Sequence, residues 1–312
     1  MNKLVFTVLT ACALFMSSAI GAQAQKASVI LSAGQSNADG RVYNDQLPDF
    51  LKGGYQHLHF ANVTKSSTGK FRDLARDFTN PKKRWAYDYV TYYYIDQAAK
   101  DDFYAVKCSY GGTSIDPAAT VDKLPKWYAD AQWIGENNAY RGDIATGKSL
   151  TKSLVEGFDD CVDVTLGKLK GGYDVKCIIW HQGESDRRKA ANYYTNFKTM
   201  IEYMRHAVYE KTGDKKDLTL PFIFGTVSHR SKQYNKTVEE AQLRVAKELP
   251  NVYYIDLSDA GLKADNIHFD GPWTIYFGQM MYNKLVELKL VDGKPVKVVK
   301  PAIVDYSAEQ KK

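Results

Sequence analysis

The chain has 312 residues and a formal net charge of +6, and its Lys and Arg residues are scattered along the sequence. A net positive charge this small, with no basic stripe, does not predict a nucleic-acid partner. No spacing of its six histidines and four cysteines predicts a metal site.

The first 24 residues are predicted to be a secretory signal peptide. Lys3 supplies a positive charge, an apolar stretch runs from Leu4 to Ala19, and Ala22-Gln23-Ala24 is a small-x-small cleavage site. The apolar stretch is too short for a resident membrane helix. We therefore expect no membrane span and an exported chain, periplasmic or secreted, after cleavage behind Ala24.

Strands and helices alternate along the remaining chain. Apolar runs predict strands over 28–31, 55–60, 103–108, 175–180, 221–227 and 252–255. Helical spacing of apolar residues predicts helices over 85–100, 149–169, 191–211, 237–248 and 273–288. This alternation predicts an α/β fold with a mostly parallel sheet and helices on both faces. One domain is expected over 25–291, with a loose tail over 292–312.

The segment Asp116–Thr146 is the least regular part of the chain and contains Trp127 and Trp133. Long loops in compact domains are usually functional, so we expect this loop to shape substrate preference. Trimming it is expected to leave hydrolysis of a small activated acetate ester largely intact.

Three cysteines follow the predicted signal peptide, namely Cys108, Cys161 and Cys177. An odd number excludes complete internal pairing. Two of them lie in apolar, strand-like runs, so buried free thiols are expected, and one disulfide stays open as the alternative.

Polar clusters follow the predicted strands at Gly34–Asn37, Ser109–Ser114 and His181–Asp186. A fourth, Asp265–His268, follows the last strand after a short loop. Ligands bind at the carboxyl ends of the strands in sheets of this type. We therefore expect all four clusters to meet at one edge of the sheet.

These clusters contain the groups that acyl transfer needs. Ser36 is the candidate nucleophile, His268 the candidate base and Asp265 the group that holds the second ring nitrogen of the base. The candidate oxyanion donors are the backbone N–H groups of Ser36 and Gly112 and the side-chain amide of Gln182. No cofactor or metal is required.

Four neighbouring residues are assigned lesser roles. Glu184 follows a strand that is predicted to be buried, and it is expected to hydrogen-bond within the site or to help orient the base. His181 is predicted to be structural. His229 and Arg230 follow the strand 221–227 and are predicted to line the pocket.

Four sequence blocks carry a family resemblance. In chain order they are Gly34-Gln35-Ser36-Asn37, Gly111-Gly112-Thr113-Ser114-Ile115, Trp180-His181-Gln182-Gly183-Glu184-Ser185 and Asp265-x-x-His268. They resemble the blocks of the SGNH hydrolase superfamily, and more narrowly its sialate O-acetylesterase-like branch, which includes the carbohydrate esterase family 6 acetylxylan esterases. The resemblance spans about Val29 to Leu288.

This resemblance implies a flavodoxin-like, three-layer α/β/α sandwich and a serine esterase that removes acetyl groups from carbohydrates. It assigns Ser36 as nucleophile, His268 as base and Asp265 as its partner, with Ser36, Gly112 and Gln182 in the oxyanion hole. The broad superfamily usually has asparagine where Gln182 stands, and the narrower branch shares the glutamine.

Acetylated plant polysaccharide such as xylan is the favoured substrate. O-acetylated sialate is the alternative, and its carboxylate would need an arginine, for which Arg41, Arg141 and Arg230 are candidates. From a different class of function, a non-catalytic carbohydrate-binding protein on an esterase scaffold remains as an alternative, although the intact Ser, His and Asp argue against it. The oligomeric state stays open.

Overall fold

Helices and strands alternate through residues 25–64, 67–136 and 149–306, which the computed structural model describes. The predicted signal peptide, the end of the 116–146 loop and Arg141 lie outside the described residues. None of the described helices is long and apolar enough to cross a membrane.

The described strands are β1 Ala27–Gly34, β2 Val42–Tyr43, β3 Leu58–Asn62, β4 Arg84–Trp85, β5 Phe103–Ser109, β6 Tyr173–His181, β7 Phe222–Gly225 and β8 Val252–Ile255. The described α-helices are α1 Ser36–Asp39, α2 Asp49–Lys52, α3 Tyr87–Ala98, α4 Ala131–Glu136, α5 Leu150–Val164, α6 Tyr193–Thr212, α7 Lys236–Glu248 and α8 Gly271–Glu287.

Six of these strands form one sheet in the order β3-β5-β1-β6-β7-β8, and every neighbouring pair in it is parallel. The other two, β2 and β4, form a short antiparallel ribbon. The first strand of the chain therefore lies in the middle of the sheet, with β5 on one side and β6 on the other. This arrangement confirms the predicted α/β fold with a mostly parallel sheet.

Alternate side chains of β1 enter the two halves of the core. Val29, Leu31 and Ala33 pack with apolar residues of α5, α6 and α7, whereas Ile30 packs with those of α3 and α8. Because successive side chains of a strand point to opposite faces, a continuously apolar strand is covered by helices on both faces. The result is the three-layer sandwich that the resemblance implies.

Residues 292–306, which belong to the predicted loose tail, form neither helix nor strand. They are nevertheless attached to the domain. The side-chain amide of Asn283 donates to the Val296 carbonyl and accepts from the Val296 N–H, both at 2.8 Å. Lys300 forms an ion pair with Asp259 at 2.7 Å. The described part of the tail therefore contacts the domain at these points.

Candidate active site

The turn after β1 presents Ser36 at the carboxyl edge of the sheet. Gly34 has a φ of +137°, and a Cβ there would lie 2.2 Å from the His181 carbonyl oxygen, so only glycine fits. The Gln35 N–H donates to that same carbonyl oxygen at 2.9 Å, which ties the turn to the end of β6. Ser36 then begins α1 with its side chain directed into a cavity.

A second loop, just before α8, supplies His268 with its carboxylate partner. The Asp265 Oδ2 lies 2.7 Å from the His268 Nδ1. The other oxygen, Oδ1, accepts from the N–H groups of Ile267 at 2.8 Å and His268 at 2.9 Å. One carboxylate thus fixes both the ring and the backbone of the histidine.

These contacts also set the charge of Asp265. Burial of the carboxyl group acts to raise its pKa. Hydrogen bonds from the His268 ring and from the backbone N–H groups of His268 and Ile267 outweigh this effect and hold the pKa of Asp265 well below its ordinary value. Asp265 is therefore a stable anion that can keep the His268 Nδ1 protonated and leave Nε2 free to accept a proton.

Ser36 and His268 line the same cavity, whose volume is about 390 Å³. Gly112 lines it as well, in a turn where its φ is +77°. A Cβ on the neighbouring Gly111 would lie 1.8 Å from the Arg41 Nη2 and 3.5 Å from the Ser36 Cβ. The two glycines therefore let the backbone approach both the nucleophile and a guanidinium group closely.

Gln182 makes its side-chain hydrogen bonds inside the protein. Its side chain is fully buried, and Gln182 is not among the described residues that line the cavity. Its Nε2 donates to Asp186 and to the Thr113 carbonyl, and its Oε1 accepts from the Tyr193 hydroxyl. Both ends of the amide are thus engaged inside the protein, and its donation to the oxyanion stays a prediction.

The side chain of Gln35 brings a second amide close to Ser36. It lines the cavity, and its Nε2 is 3.5 Å from the Ser36 Oγ. Its Oε1 accepts from the Ser185 N–H at 3.2 Å, so the NH₂ end faces the nucleophile. Sequence reasoning missed this residue. Its position next to Ser36 in the first block was the signal that could have identified it.

Gln182 and Asp186 instead fix the turn that carries Gly112. The buried Asp186 carboxylate accepts from the N–H groups of Ile115 at 2.9 Å and Asp116 at 2.8 Å, in addition to Gln182. Burial raises the pKa of Asp186 to about 7. This network, which we call the Asp186 clamp, joins the end of β6 to the turn after β5.

Glu184 connects the nucleophile loop to the histidine loop. Its Oε1 accepts from the Asn37 Nδ2 at 2.9 Å, and the Asn37 Oδ1 accepts from the Phe269 N–H at 3.1 Å. Glu184 thus hydrogen-bonds within the site, whereas the contact with the His268 ring comes from Asp265. His181 is buried with its Nε2 3.3 Å from the Thr226 carbonyl oxygen, as expected of a structural residue.

Three arginines, Arg41, Arg187 and Arg188, line the cavity, and no Asp or Glu lines its described wall. His229 and Arg230 do not line it, contrary to the prediction. His229 contacts Glu239 at 2.8 Å, and Arg230 lines a separate cavity beside the tail. Within residues 25–64, 67–136 and 149–306, no group of three His, Cys, Asp or Glu side chains is placed to hold a metal ion.

A parallel α/β sheet with a serine and a carboxylate-held histidine in one cavity at its carboxyl edge defines a hydrolase of the SGNH type. The chain belongs to the family described as SASA, carbohydrate esterase, sialic acid-specific acetylesterase, which it matches over residues 26–287.

Known proteins with similar sequence or structure agree with this assignment. The chain is 31% identical over 130 residues to the probable carbohydrate esterase At4g34215 of Arabidopsis thaliana, a match that spans 40% of this chain and 46% of that protein. The solved structure of the Arabidopsis protein superposes with a TM-score of 0.60 at 18% identity, over 84% of this chain and 98% of that one.

Two further solved structures share the fold. XAC1771, described as a novel carbohydrate acetylesterase from Xanthomonas citri, has a TM-score of 0.56 at 18% identity, over 82% of this chain and 55% of that one. NanS has a TM-score of 0.59 at 13% identity, over 85% of this chain and 98% of that one. At these identities the solved structures show the fold alone.

Proposed function

We propose that this esterase removes O-acetyl groups from an acidic carbohydrate, with Ser36 as nucleophile, His268 as base and Asp265 as its partner. The observation that carries the proposal is the Asp265–His268 contact of 2.7 Å beside a cavity that Ser36 also lines. The family to which the chain belongs, and the similarity of its fold to XAC1771, a carbohydrate acetylesterase, both support acetylated carbohydrate as the substrate class.

The reaction follows the usual two steps of a serine esterase. The Ser36 Oγ attacks the acetyl carbonyl carbon while its proton passes to the His268 Nε2. The bond to the sugar oxygen then breaks, and the sugar leaves with that proton as an alcohol. Water attacks the acetyl-serine with the help of the same base, which releases acetate and restores the serine. Ser36 N–H, Gly112 N–H and the Gln35 amide are the proposed oxyanion donors.

The arginines favour an anionic sugar over neutral xylan. Arg41 is paired with Asp39, and Arg187 donates to the Glu184 carbonyl. Arg188 is exposed and lines the cavity. Within the described part of the chain its side chain has no hydrogen bond or ion pair. A free guanidinium in a cavity without acidic walls is suited to bind a carboxylate in bidentate fashion, so O-acetylated sialate is the first substrate to test and acetylated xylan the second.

The test is acetate release from O-acetyl sialate, acetylated xylan and acetylated pectin by the wild type and by Ser36→Ala. Release that disappears in the variant supports the serine mechanism and identifies the substrate. If the wild type is correctly folded and hydrolyses neither these substrates nor p-nitrophenyl acetate, the proposed function is wrong.

The role of Arg188 is tested with Arg188→Gln, using Arg76→Gln as the matched control, since Arg76 is exposed and outside the cavity. Loss of a charged hydrogen bond is expected to lower kcat/KM for O-acetyl sialate by about 10-fold or more, relative to p-nitrophenyl acetate. Equal changes for both substrates would remove the argument for an anionic sugar.

We also propose that the protein is exported after cleavage behind Ala24. The support is the charge, apolar stretch and cleavage site of its first 24 residues. Mass spectrometry of the protein purified from its natural host is expected to find Gln25 as the first residue, and an intact Met1 would contradict export by this route.

A further inference from the structure

One side of the active-site cavity is apolar. Ala119, Val121 and Leu124 come from a single short segment, and Ile267 completes the apolar lining. The Leu124 Cδ1 lies 3.7 Å from the point where a Cβ on Gly112 would be. Leu124 therefore packs directly beside the glycine whose N–H is proposed to bind the oxyanion.

A buried lysine holds this segment in shape. Lys126 is 2% exposed, and its Nζ donates to the carbonyl oxygens of Val121 and Leu124, each at 2.7 Å. The Leu124 N–H also donates to the Val121 carbonyl at 3.1 Å, which closes a turn. We call residues 119–126 the Lys126 turn.

Lys126 is not placed to take part in the proposed chemistry. It is not among the described residues that line the cavity. Both hydrogen bonds from its ammonium group go to neutral backbone carbonyls. Burying an ammonium group on neutral partners is unfavourable, and burial lowers the pKa of Lys126. The arrangement therefore fixes the position of Leu124 at a cost in stability, which is expected where that position matters for function.

The acyl chain is the apolar part of an acetylated sugar. Once the ester carbonyl oxygen points to the N–H groups of Ser36 and Gly112, the acyl chain needs an apolar wall close to Gly112. Leu124 is placed to provide that wall.

We propose that Leu124 sets the acyl-chain length that this esterase accepts, and that Lys126 holds Leu124 in place. This inference rests on the proposed serine esterase function. It also differs from the expectation that trimming the 116–146 loop leaves hydrolysis of a small acetate ester largely intact, because a wall of the acyl site influences small esters as well.

The experiment measures kcat/KM for p-nitrophenyl acetate, propionate, butyrate and hexanoate. The wild type is expected to be most active on acetate. A pocket discriminates one methylene group by about 10-fold or more, so Leu124→Ala is expected to raise the butyrate-to-acetate ratio by about that factor. Leu124→Phe is expected to lower the ratio, because the larger side chain fills the space beside Gly112.

Lys126→Met is expected to raise the ratio as Leu124→Ala does, because the turn loses both bonds from the ammonium. Leu218→Ala is the matched control, since Leu218 is 42% exposed and lies outside the cavity. The control is expected to keep the wild-type ratio. Thermal unfolding of each variant shows whether it is folded, and the opposite expectations for Ala and Phe keep the test valid if one of them fails to fold.

The two proposals fail in different ways. If the wild type does not hydrolyse p-nitrophenyl acetate, the proposed function is wrong. If it does, and folded Leu124 variants hydrolyse all four esters in the wild-type proportions, the acyl-wall proposal is overturned while the esterase function stands. A uniform loss on all esters would likewise overturn it, because it would show a structural role only.

Discussion

At the scale of single residues, the two glutamines near the nucleophile have different roles. The Gln35 amide faces the Ser36 Oγ, whereas the Gln182 amide is buried on Asp186 and Tyr193. The sequence places both residues at the carboxyl edge of the sheet, which the structure confirms. It does not reveal which amide points into the cavity, because that depends on side-chain partners far apart in the chain.

Substitutions at these two glutamines are expected to separate catalysis from stability. Gln35→Ala should lower kcat by about 10²- to 10³-fold, the effect of losing one oxyanion donor. Its effect on the free energy of unfolding should stay within about 1–3 kcal/mol, for the one buried donor, the Ser185 N–H, that loses its acceptor. Gln182→Ala should lower the free energy of unfolding by about 1–3 kcal/mol for each buried partner left unsatisfied. The measurements are ester hydrolysis and urea unfolding. A loss of kcat at Gln182 with unchanged stability would support the role predicted from the sequence.

At the scale of secondary-structure elements, agreement with the sequence is close wherever a long apolar pattern exists. β8 occupies 252–255 as predicted, and α7 begins one residue before the predicted 237. β3 begins at Leu58 instead of residue 55, because the Asp96 carboxylate accepts hydrogen bonds from the N–H groups of Gln56, His57 and Leu58. The β2–β4 ribbon was not predicted, since strands of two residues show no periodicity.

The Asp186 clamp connects two turns, and its titration predicts that the free energy of unfolding depends on pH. The pKa of Asp186 is raised from 3.8 to about 7 by burial. The stabilisation from its protonated form is therefore complete below the unfolded value of 3.8 and is lost as the pH rises through about 7.

The variant Asp186→Asn has no titrating group at this position. Whichever way its amide is turned, the NH₂ group faces a backbone or side-chain N–H donor and cannot accept its hydrogen bond. The variant is expected to be less stable than the wild type, with a difference that narrows as the pH rises from about 4 to about 7. Thermal unfolding across this range measures the difference. A gap that is constant with pH would show that the carboxyl group does not titrate there.

A buried ion pair connects the nucleophile strand to its neighbours. Lys107 of β5 and Asp88 of α3 are both almost fully buried and lie 2.9 Å apart, and Ser32 of β1 donates to the same carboxylate at 3.1 Å. The pair lies at the middle of the sheet, between β1, the strand that precedes Ser36, and the helix layer formed by α3 and α8.

Lys107→Met is expected to lower the free energy of unfolding by about 3–5 kcal/mol, because Asp88 keeps an uncompensated buried charge. Adding Asp88→Leu should restore most of that loss, since apolar replacement of a whole buried pair is often close to neutral. Urea unfolding of the single and double variants tests the pair. A double variant no more stable than the single one would contradict the argument.

At the scale of the whole molecule, the fold class and the sheet edge that holds the site were predictable, whereas the sequence favoured free thiols without excluding one disulfide. Cys108, Cys161 and Cys177 are free and buried, as expected, and the alternative of one disulfide is not formed. Burial raises the pKa of Cys161 to about 12 and that of Cys108 and Cys177 well above their ordinary value. Of the arginines around the cavity, Arg41 was a candidate from the sequence. Arg187 and Arg188 were not, because they meet Arg41 only through the topology.

The folded protein without residues 1–24 is therefore expected to react with no thiol reagent, because a thiol that is both buried and protonated is unreactive. All three cysteines should react after denaturation, and a reducing agent should leave the unfolding temperature unchanged. Titration with a chromogenic disulfide before and after unfolding measures this. Rapid modification of the native protein would contradict the buried positions.

The central place of β1 also has a consequence for how the chain acquires its structure. On β1, Ser28 lies opposite Phe103 on one side and Asp174 on the other. β1 is synthesised first, and its partners β5 and β6 are synthesised much later. The contact order is therefore high, and folding is expected to be slow. Until then its apolar residues are open to misassembly with other chains. Because Ser36 follows this strand, the return of esterase activity during refolding would report completion of the sheet.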